Sequence, residues 1–168
     1  MKKLIAFCVI TLFVSCNDGD LQIETIDFDS VGINTCESTI TTASTIFFKL
    51  NDKESLILEL QSGVLKNEAS SDIITSLVPG QSKITYRVFS DNVTTNYFCD
   101  AIPNTTPLVI EEIEAEDGEV LITTVLAEGT TNTYEHTIEL SGISFITAQD
   151  ERITDLQINE FGTITTSE

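Results

Sequence analysis

The feature that most restricts the fold of this chain is an alternation of apolar and polar residues with a period of two, beginning at Leu21. This period is typical of strands that bury one face, whereas helices repeat every 3.6 residues. The alternating segments are short, rich in Val, Ile, Thr, Tyr and Phe, and separated by turn residues. The predicted strands cover residues 21–28, 45–51, 55–61, 83–90, 95–101, 108–116, 119–128, 133–141 and 157–165.

About nine short strands and almost no helical periodicity predict an all-β fold, an antiparallel β-sandwich. An immunoglobulin-like arrangement is one form of this class. The chain has no Trp, however, and therefore lacks the usual core residue of that form, so the topology stays open. Residues 66–77 allow two interpretations, a short helix capped by Asn67 or Ser70, or a long loop.

Two short segments predict tight turns. Asp117-Gly118 suits a type I′ turn, whose central residues both have positive φ, so we expect residues 108–116 and 119–128 to form a hairpin. The expected cross-strand pairs are Ala115 with Val120, Ile113 with Ile122, and Val109 with Leu126. A second hairpin is expected around residues 51–53.

The beginning of the chain has the layout of a signal peptide. Lys2 and Lys3 precede an apolar run over residues 4–14, which is too short to span a bilayer because eleven helical residues rise only about 16 Å against a hydrocarbon core of about 30 Å. We therefore expect a signal at residues 1–15, a polar tether at 16–20, and a single β-sandwich domain at 21–168.

The run ends in Phe13-Val14-Ser15-Cys16, which resembles the lipobox of bacterial lipoproteins, with Phe13 where the family usually has Leu. The resemblance covers sixteen residues. It implies cleavage before Cys16, lipid on that cysteine, and attachment to a membrane without a transmembrane helix. The alternative is an ordinary secretory signal followed by a chance cysteine.

Asp18 and Asp20 follow this cysteine and resemble the acidic surface-export signal of Bacteroidetes lipoproteins. The whole chain is also similar in style to the small, acidic, Thr-rich lipoproteins of Flavobacteria. These resemblances imply an outer-membrane lipoprotein of the cell envelope, facing the periplasm or displayed on the surface. A plain flexible tether is the alternative interpretation of residues 16–20.

Cysteine usage agrees with export. Cys8 would leave with the signal and Cys16 would take the lipid, which leaves Cys36 and Cys99 in the mature domain. Two cysteines in an oxidising compartment predict one disulfide. A catalytic thiol would need a histidine beside it, and two cysteines with one histidine do not make a structural zinc site.

The charge of the chain restricts its partners. Acidic residues number 27 and basic residues 8, for a formal net charge of −19. Coulomb repulsion therefore argues against nucleic acid or an anionic membrane surface as partner. Disorder is not expected, because apolar segments recur along the whole chain.

His136, the only histidine, alternates in phase with Tyr134, Ile138 and Leu140, so a packed structural role is expected. A Ser-His-Asp site is the alternative, but no nucleophile elbow accompanies the histidine. The acidic run at residues 111–119 suits either calcium or a solvated strand face, and its spacing does not fit an EF-hand. We predict no catalytic residue, metal ligand or cofactor.

Two further kinds of pattern have ordinary explanations. A glycosidase needs a pair of carboxylates, and 27 acidic residues supply such pairs by chance, although a chain without Trp is poorly equipped to stack sugars. Residues 29–31 resemble the O-glycosylation motif of Bacteroidetes envelope proteins, and Asn92 and Asn104 begin N-glycosylation patterns. Turns and strand ends explain these short motifs equally well.

The sequence leaves three functions open. The leading hypothesis is a lipid-anchored, non-catalytic envelope module that binds or spaces a partner of unknown identity, protein or glycan. A hydrolase acting on carbohydrate or peptide would instead show a cleft with convergent carboxylates, or a Ser-His-Asp contact. An accessory subunit of an envelope complex would show an exposed apolar patch or an unpaired strand edge.

Overall fold

The computed structural model describes residues 26–102, 104–148, 152–154 and 159–168. Within these residues the chain forms eight strands and one short helix, which confirms the predicted all-β class. In chain order the elements are β1 Ile46–Asn51, β2 Glu54–Glu59, β3 Ile74–Leu77, β4 Lys83–Phe89, α1 Thr95–Cys99, β5 Val109–Leu126, β6 Thr133–Ile146, β7 Arg152–Thr154 and β8 Glu160–Ser167.

The strands form one antiparallel sheet that curls into a half-barrel. Its first half contains β1, β2, β4 and the beginning of β5, while its second half contains β3, the rest of β5, β6, β7 and β8. Both halves share β5, because β4 pairs with the beginning of this strand, and β3 and β6 pair with its later part.

One hydrophobic core lies between the two halves. The Tyr86 ring on β4 contacts Phe28 and Phe145, with ring centroids 6.5 and 6.2 Å away. These contacts join the first half of the sheet, the second half, and the segment that precedes β1. The largest fully buried aliphatic side chains of the core are Ile26, Leu56, Leu58, Ile84, Ile122 and Ile138.

The predicted turn at Asp117-Gly118 is wrong, because β5 runs straight through these residues. Ala115 pairs with Phe145 rather than with Val120, and the register shifts on both sides of Asp117. Gly118 has a φ of 124°, and a Cβ at this position would lie 2.9 Å from the Ile143 Cα. The glycine therefore allows a β-bulge and a close approach between strands rather than a hairpin turn.

The alternation pattern fits both arrangements, which explains the error. Ile113 and Ala115 are buried before the glycine, and Val120 and Ile122 are buried after it, so the inward position changes from odd to even. A two-residue turn and a bulge both restore the inward face after such a change. Only the partners of β5 distinguish these two arrangements.

The predicted strand at residues 95–101 is also wrong, because α1 lies there. Phe98 stacks on Phe48 with ring centroids 4.5 Å apart, while Tyr97 meets the edge of Phe89 at 5.0 Å. Successive residues of a strand point to opposite faces, so a strand would separate Tyr97 from Phe98. The helix directs both rings onto one aromatic cluster outside the first half of the sheet.

The remaining strand predictions are largely confirmed. The hairpin at residues 51–53 joins β1 to β2 with Asn51 opposite Glu54, and Asp52 has a positive φ of 43°. Residues 66–77 contain no helix but a loop leading into β3. The predicted strands that match observed ones are residues 45–51, 55–61, 83–90, 133–141 and, shifted by two or three residues, 157–165.

The N-terminal predictions concern residues that the structure does not describe. The signal at residues 1–15, the tether at 16–20 and most of the strand at 21–28 lie outside the described residues. Residues 26–28 form no strand, although Ile26 and Phe28 are buried in the core. Among the described helices, none is long and apolar enough to cross a membrane.

Candidate functional site

Cys36 and Cys99 form the predicted disulfide, with Cα atoms 5.1 Å apart. The bond attaches the segment before β1 to the last residue of α1. That segment also pairs with β1, because Asn34 and Phe48 exchange backbone hydrogen bonds. Closing a loop of about 60 residues reduces the entropy of the unfolded chain, which on this account stabilises the fold by about 4 kcal/mol.

His136 lies in the core of the second half and is fully buried. Its Nε2 atom lies 2.8 Å from Oγ1 of Thr166, and that hydroxyl donates its hydrogen to Oδ1 of Asn67. Thr166 therefore accepts from the ring, so Nε2 carries the proton. At the other ring nitrogen, the Thr124 hydroxyl lies 2.8 Å from Nδ1 and must donate to it.

These contacts confirm the predicted structural role of His136. Burial lowers the pKa of the ring below its ordinary value, which favours the neutral form that the hydrogen bonds require. Both ring nitrogens are occupied by threonine hydroxyls, so neither is available to a Ser or Asp partner. The network connects β5, β6 and β8 to the loop that precedes β3, where Asn67 lies.

Lys49 is a buried cation that the sequence interpretation missed. Its Nζ donates to the carbonyl oxygen of Phe28 at 2.7 Å and lies 5.6 Å from the centre of the Phe161 ring. Burial lowers the pKa of this amine, while the carboxylates of Asp29, Glu160 and Asp27 act in the opposite direction. The alternation predicts that the Lys49 side chain faces inward, since Lys49 follows the inward Phe47 by two residues.

The acidic run at residues 111–119 lies within β5 and largely has the solvated face that was predicted. Glu112, Glu114 and Glu116 are exposed, whereas the intervening Ile113 and Ala115 are buried. Glu112 forms an ion pair with Arg87 on β4. In the part of the chain that the structure describes, no group of three or more His, Cys, Asp or Glu side chains is arranged to hold a metal ion.

An open cleft of about 1040 Å³ runs beside this acidic strand. Residues 110–116 form one wall, and residues 146–148 at the end of β6 form the other, with Pro79 completing the lining. The cleft exists because β5 and β6 separate beyond the pair of Ala115 and Phe145. The carboxylates that line it, Glu111, Glu112, Glu114 and Glu116, all belong to the β5 wall.

The candidate modification motifs lie at the surface. Ser30 is exposed in a turn closed by the hydrogen bond from the Val31 amide to the Phe28 carbonyl. Asn92 and Asn104 line one polar surface pocket near α1, where the Asn104 side chain donates to Asp100. These positions agree with the turns expected for such motifs, and modification itself stays a prediction.

Comparison with known proteins adds no assignment: no family model, curated protein or solved structure matches this chain. Only the chain's own residues therefore indicate its function. Cys16, the predicted lipid attachment point, lies outside the described residues. The cleft beside β5 is a concave feature of about 1040 Å³ with polar groups in its lining, and it is the candidate binding site.

Proposed function

We propose that this protein is an exported lipoprotein, attached to a membrane of the cell envelope through lipid on Cys16, whose β domain binds a partner and catalyses no reaction. The single observation that carries the export part of the proposal is the disulfide between Cys36 and Cys99. Such bonds persist in oxidising compartments and are rare in the cytosol. The lipobox-like segment at residues 13–16 supplies the anchor.

Binding is favoured over hydrolysis by the positions of the groups that catalysis would need. His136 is buried, with both nitrogens hydrogen-bonded to threonines. A glycosidase places two carboxyl groups on either side of the scissile bond, whereas the carboxylates of the cleft lie along one strand. A hydrolase acting on carbohydrate or peptide is therefore the weaker hypothesis.

A second candidate function is supported by the beginning of β5. An accessory subunit of an envelope complex needs a surface on which another chain can pair. Leu108 and Ile110 are 64% and 67% exposed, and within the described residues β4 is the only strand that pairs with residues 109–114. The binding module and the accessory subunit would both hold their partner at the cleft beside β5.

Intact mass of the protein from its native kind of bacterium tests the anchor. The mature protein should begin at Cys16 and carry the added mass of acyl chains. A Cys16→Ala variant should lack that mass, whereas Cys8→Ala should retain it, because residue 8 leaves with the signal. Protease treatment of whole cells then distinguishes surface display from a periplasmic location. An unlipidated wild-type protein released into the medium contradicts the proposal.

A further inference from the structure

Among the residues that the structure describes, the beginning of β5 has a strand partner on one edge only. Residues 109–114 pair with β4, while β6 pairs only from Ala115 onward. We define the open edge as the side of residues 109–114 that faces away from β4 and into the cleft. Backbone N–H and C=O groups of successive strand residues alternate between the two edges, so about half of those in this stretch point along the open edge.

An open edge of this kind is a template for another strand. Proteins that avoid pairing protect their edges with charged side chains, above all Lys, or with Pro. Residues 108–116 contain no Lys or Pro, and their charges are all negative, so they repel an acidic strand but not a basic one. Ile110 in the cleft wall is instead a large exposed apolar side chain. The opposing wall at residues 146–148 gives an added strand a second surface to contact, which an isolated edge does not offer.

Charge decides what kind of strand fits. Glu112, Glu114 and Glu116 alternate along one face of β5, and only Glu112 has a cation partner within the described residues, namely Arg87. Opposite charges on adjacent strands stabilise pairing, and like charges oppose it. A second copy of this chain, with a net charge of −19, is a poor occupant, and a basic segment is a good one.

We propose that the open edge of β5 binds an extended basic segment of another protein by strand addition. In an antiparallel register, Lys or Arg side chains two positions apart lie beside Glu114 and Glu112, and an apolar side chain follows beside Ile110. This inference states which kind of partner the proposed envelope protein binds. It rests on the proposed function only for where that partner is found, namely in the cell envelope.

A synthetic peptide of the order Lys-Thr-Lys-Thr-Ile, whose lysines lie beside Glu114 and Glu112, is the probe, titrated by fluorescence anisotropy into the full protein purified in detergent. Two further peptides of identical sequence and charge are N-methylated on every second amide. One carries the methyl groups on its odd-numbered residues and the other on its even-numbered residues. Strand addition requires the amides that face β5, so at least one methylated peptide should bind at least about tenfold more weakly. Equal binding of all three peptides overturns the proposal in favour of simple charge attraction.

Matched charge reversals test the location. Glu114→Lys with Glu116→Lys should weaken binding of the unmethylated peptide about tenfold or more, because the favourable pair at Glu114 becomes repulsive and residue 116 adds a second positive charge near the end of the peptide. Glu135→Lys with Glu139→Lys is the control, since both residues are exposed glutamates on β6 and the change in net charge is the same. The control should change binding less than about threefold, and an equal loss in both variants overturns the location.

The remaining outcomes are also decisive. Absence of binding to the unmethylated peptide at low salt overturns the inference. The anchor on Cys16 is tested separately by intact mass, so the failure of one proposal does not decide the other. Analytical ultracentrifugation of the protein alone tests whether a second copy of the chain occupies the open edge. A dimer that the Glu114→Lys and Glu116→Lys variant alters would assign the edge to a second copy and overturn the basic partner. If that variant fails to fold, the methylated peptides decide the question.

Discussion

The two ends of β5 have the same alternating pattern but different surroundings. Residues 119–122 lie between β3 and β6, so both edges are paired and the inward side chains are fully buried. Within the described part of the chain, residues 109–114 pair with β4 alone, and the first two are exposed on the strand surface. One continuous strand therefore includes a part that is central to the sheet and a part that ends at an open cleft.

This difference separates stability from recognition. A central strand gains backbone hydrogen bonds on both edges and buries its inward face, so changes there act on the free energy of unfolding. An open edge keeps unpaired backbone groups and accessible side chains, so changes there act on binding. The connection between the two parts is Gly118, where the strand bulges.

The largest expected effect is at this connection. Gly118→Ala should lower the free energy of unfolding by about 4 kcal/mol, because a side chain is strained at this positive φ and its Cβ would meet the Ile143 backbone at 2.9 Å. Urea unfolding monitored by circular dichroism measures the change. Gly80→Ala is the control and should be nearly neutral, because no atom lies within 4 Å of that Cβ. A similar loss in both variants would show that Gly118 has no special role.

A smaller effect distinguishes the two ends directly. Ile122→Ala should lower the free energy of unfolding by about 3 kcal/mol, since the side chain is 0% exposed and its removal leaves a cavity. Ile110→Ala should change it by no more than about 0.5 kcal/mol, because that side chain is exposed. Urea midpoints with an unchanged m-value provide the comparison. Equal losses would contradict the contrast drawn between the two ends.

The smallest expected effect concerns the polar network behind the central part of β5. At pH 7.5, His136→Gln should lower the free energy of unfolding by about 1–2 kcal/mol through lost hydrogen bonds to Thr124 and Thr166. Because burial lowers the pKa of the folded histidine, the unfolded chain binds more protons below about pH 6.5. Stability from the neutral ring is therefore present above that pH and is lost as the pH falls.

The difference in free energy of unfolding between wild type and His136→Gln should consequently become smaller as the pH falls from 7.5 to 5.5. Urea unfolding of both proteins at each pH measures it, and carboxylate titration elsewhere cancels in the comparison to first order. A difference that widens as the pH falls would mean that the folded ring binds its proton more tightly than the unfolded one. That result would contradict the hydrogen-bonding scheme in which Nδ1 accepts from Thr124.

Several structural features were predictable because they depend on local pattern. Alternation identified β1, β2, β4 and β6, and it also placed His136 among inward residues. Cysteine number and export context predicted the bond between Cys36 and Cys99. The same alternation indicates that Lys49 faces inward. This position was overlooked because a lysine is seldom fully buried without a carboxylate partner.

Other features depended on partners that the pattern does not identify. Residues 95–101 have the composition of a strand, but the ring contacts of Tyr97 and Phe98 favour a helix. Asp117-Gly118 has the composition of a turn, but Gly118 lies in a bulge against Ile143. The cleft arises where β5 and β6 separate, so no local segment predicts it.

The sequence by itself determined the all-β class, the disulfide, and which side of most strands faces the core, because these depend on side-chain chemistry and a period of two. The tertiary structure decided which strands are neighbours, where β5 continues rather than turns, and which edge stays open. Strand pairing is made by backbone N–H and C=O groups that are the same in almost every residue. Side-chain pattern therefore specifies the faces of a strand, and only the assembled sheet specifies its edges.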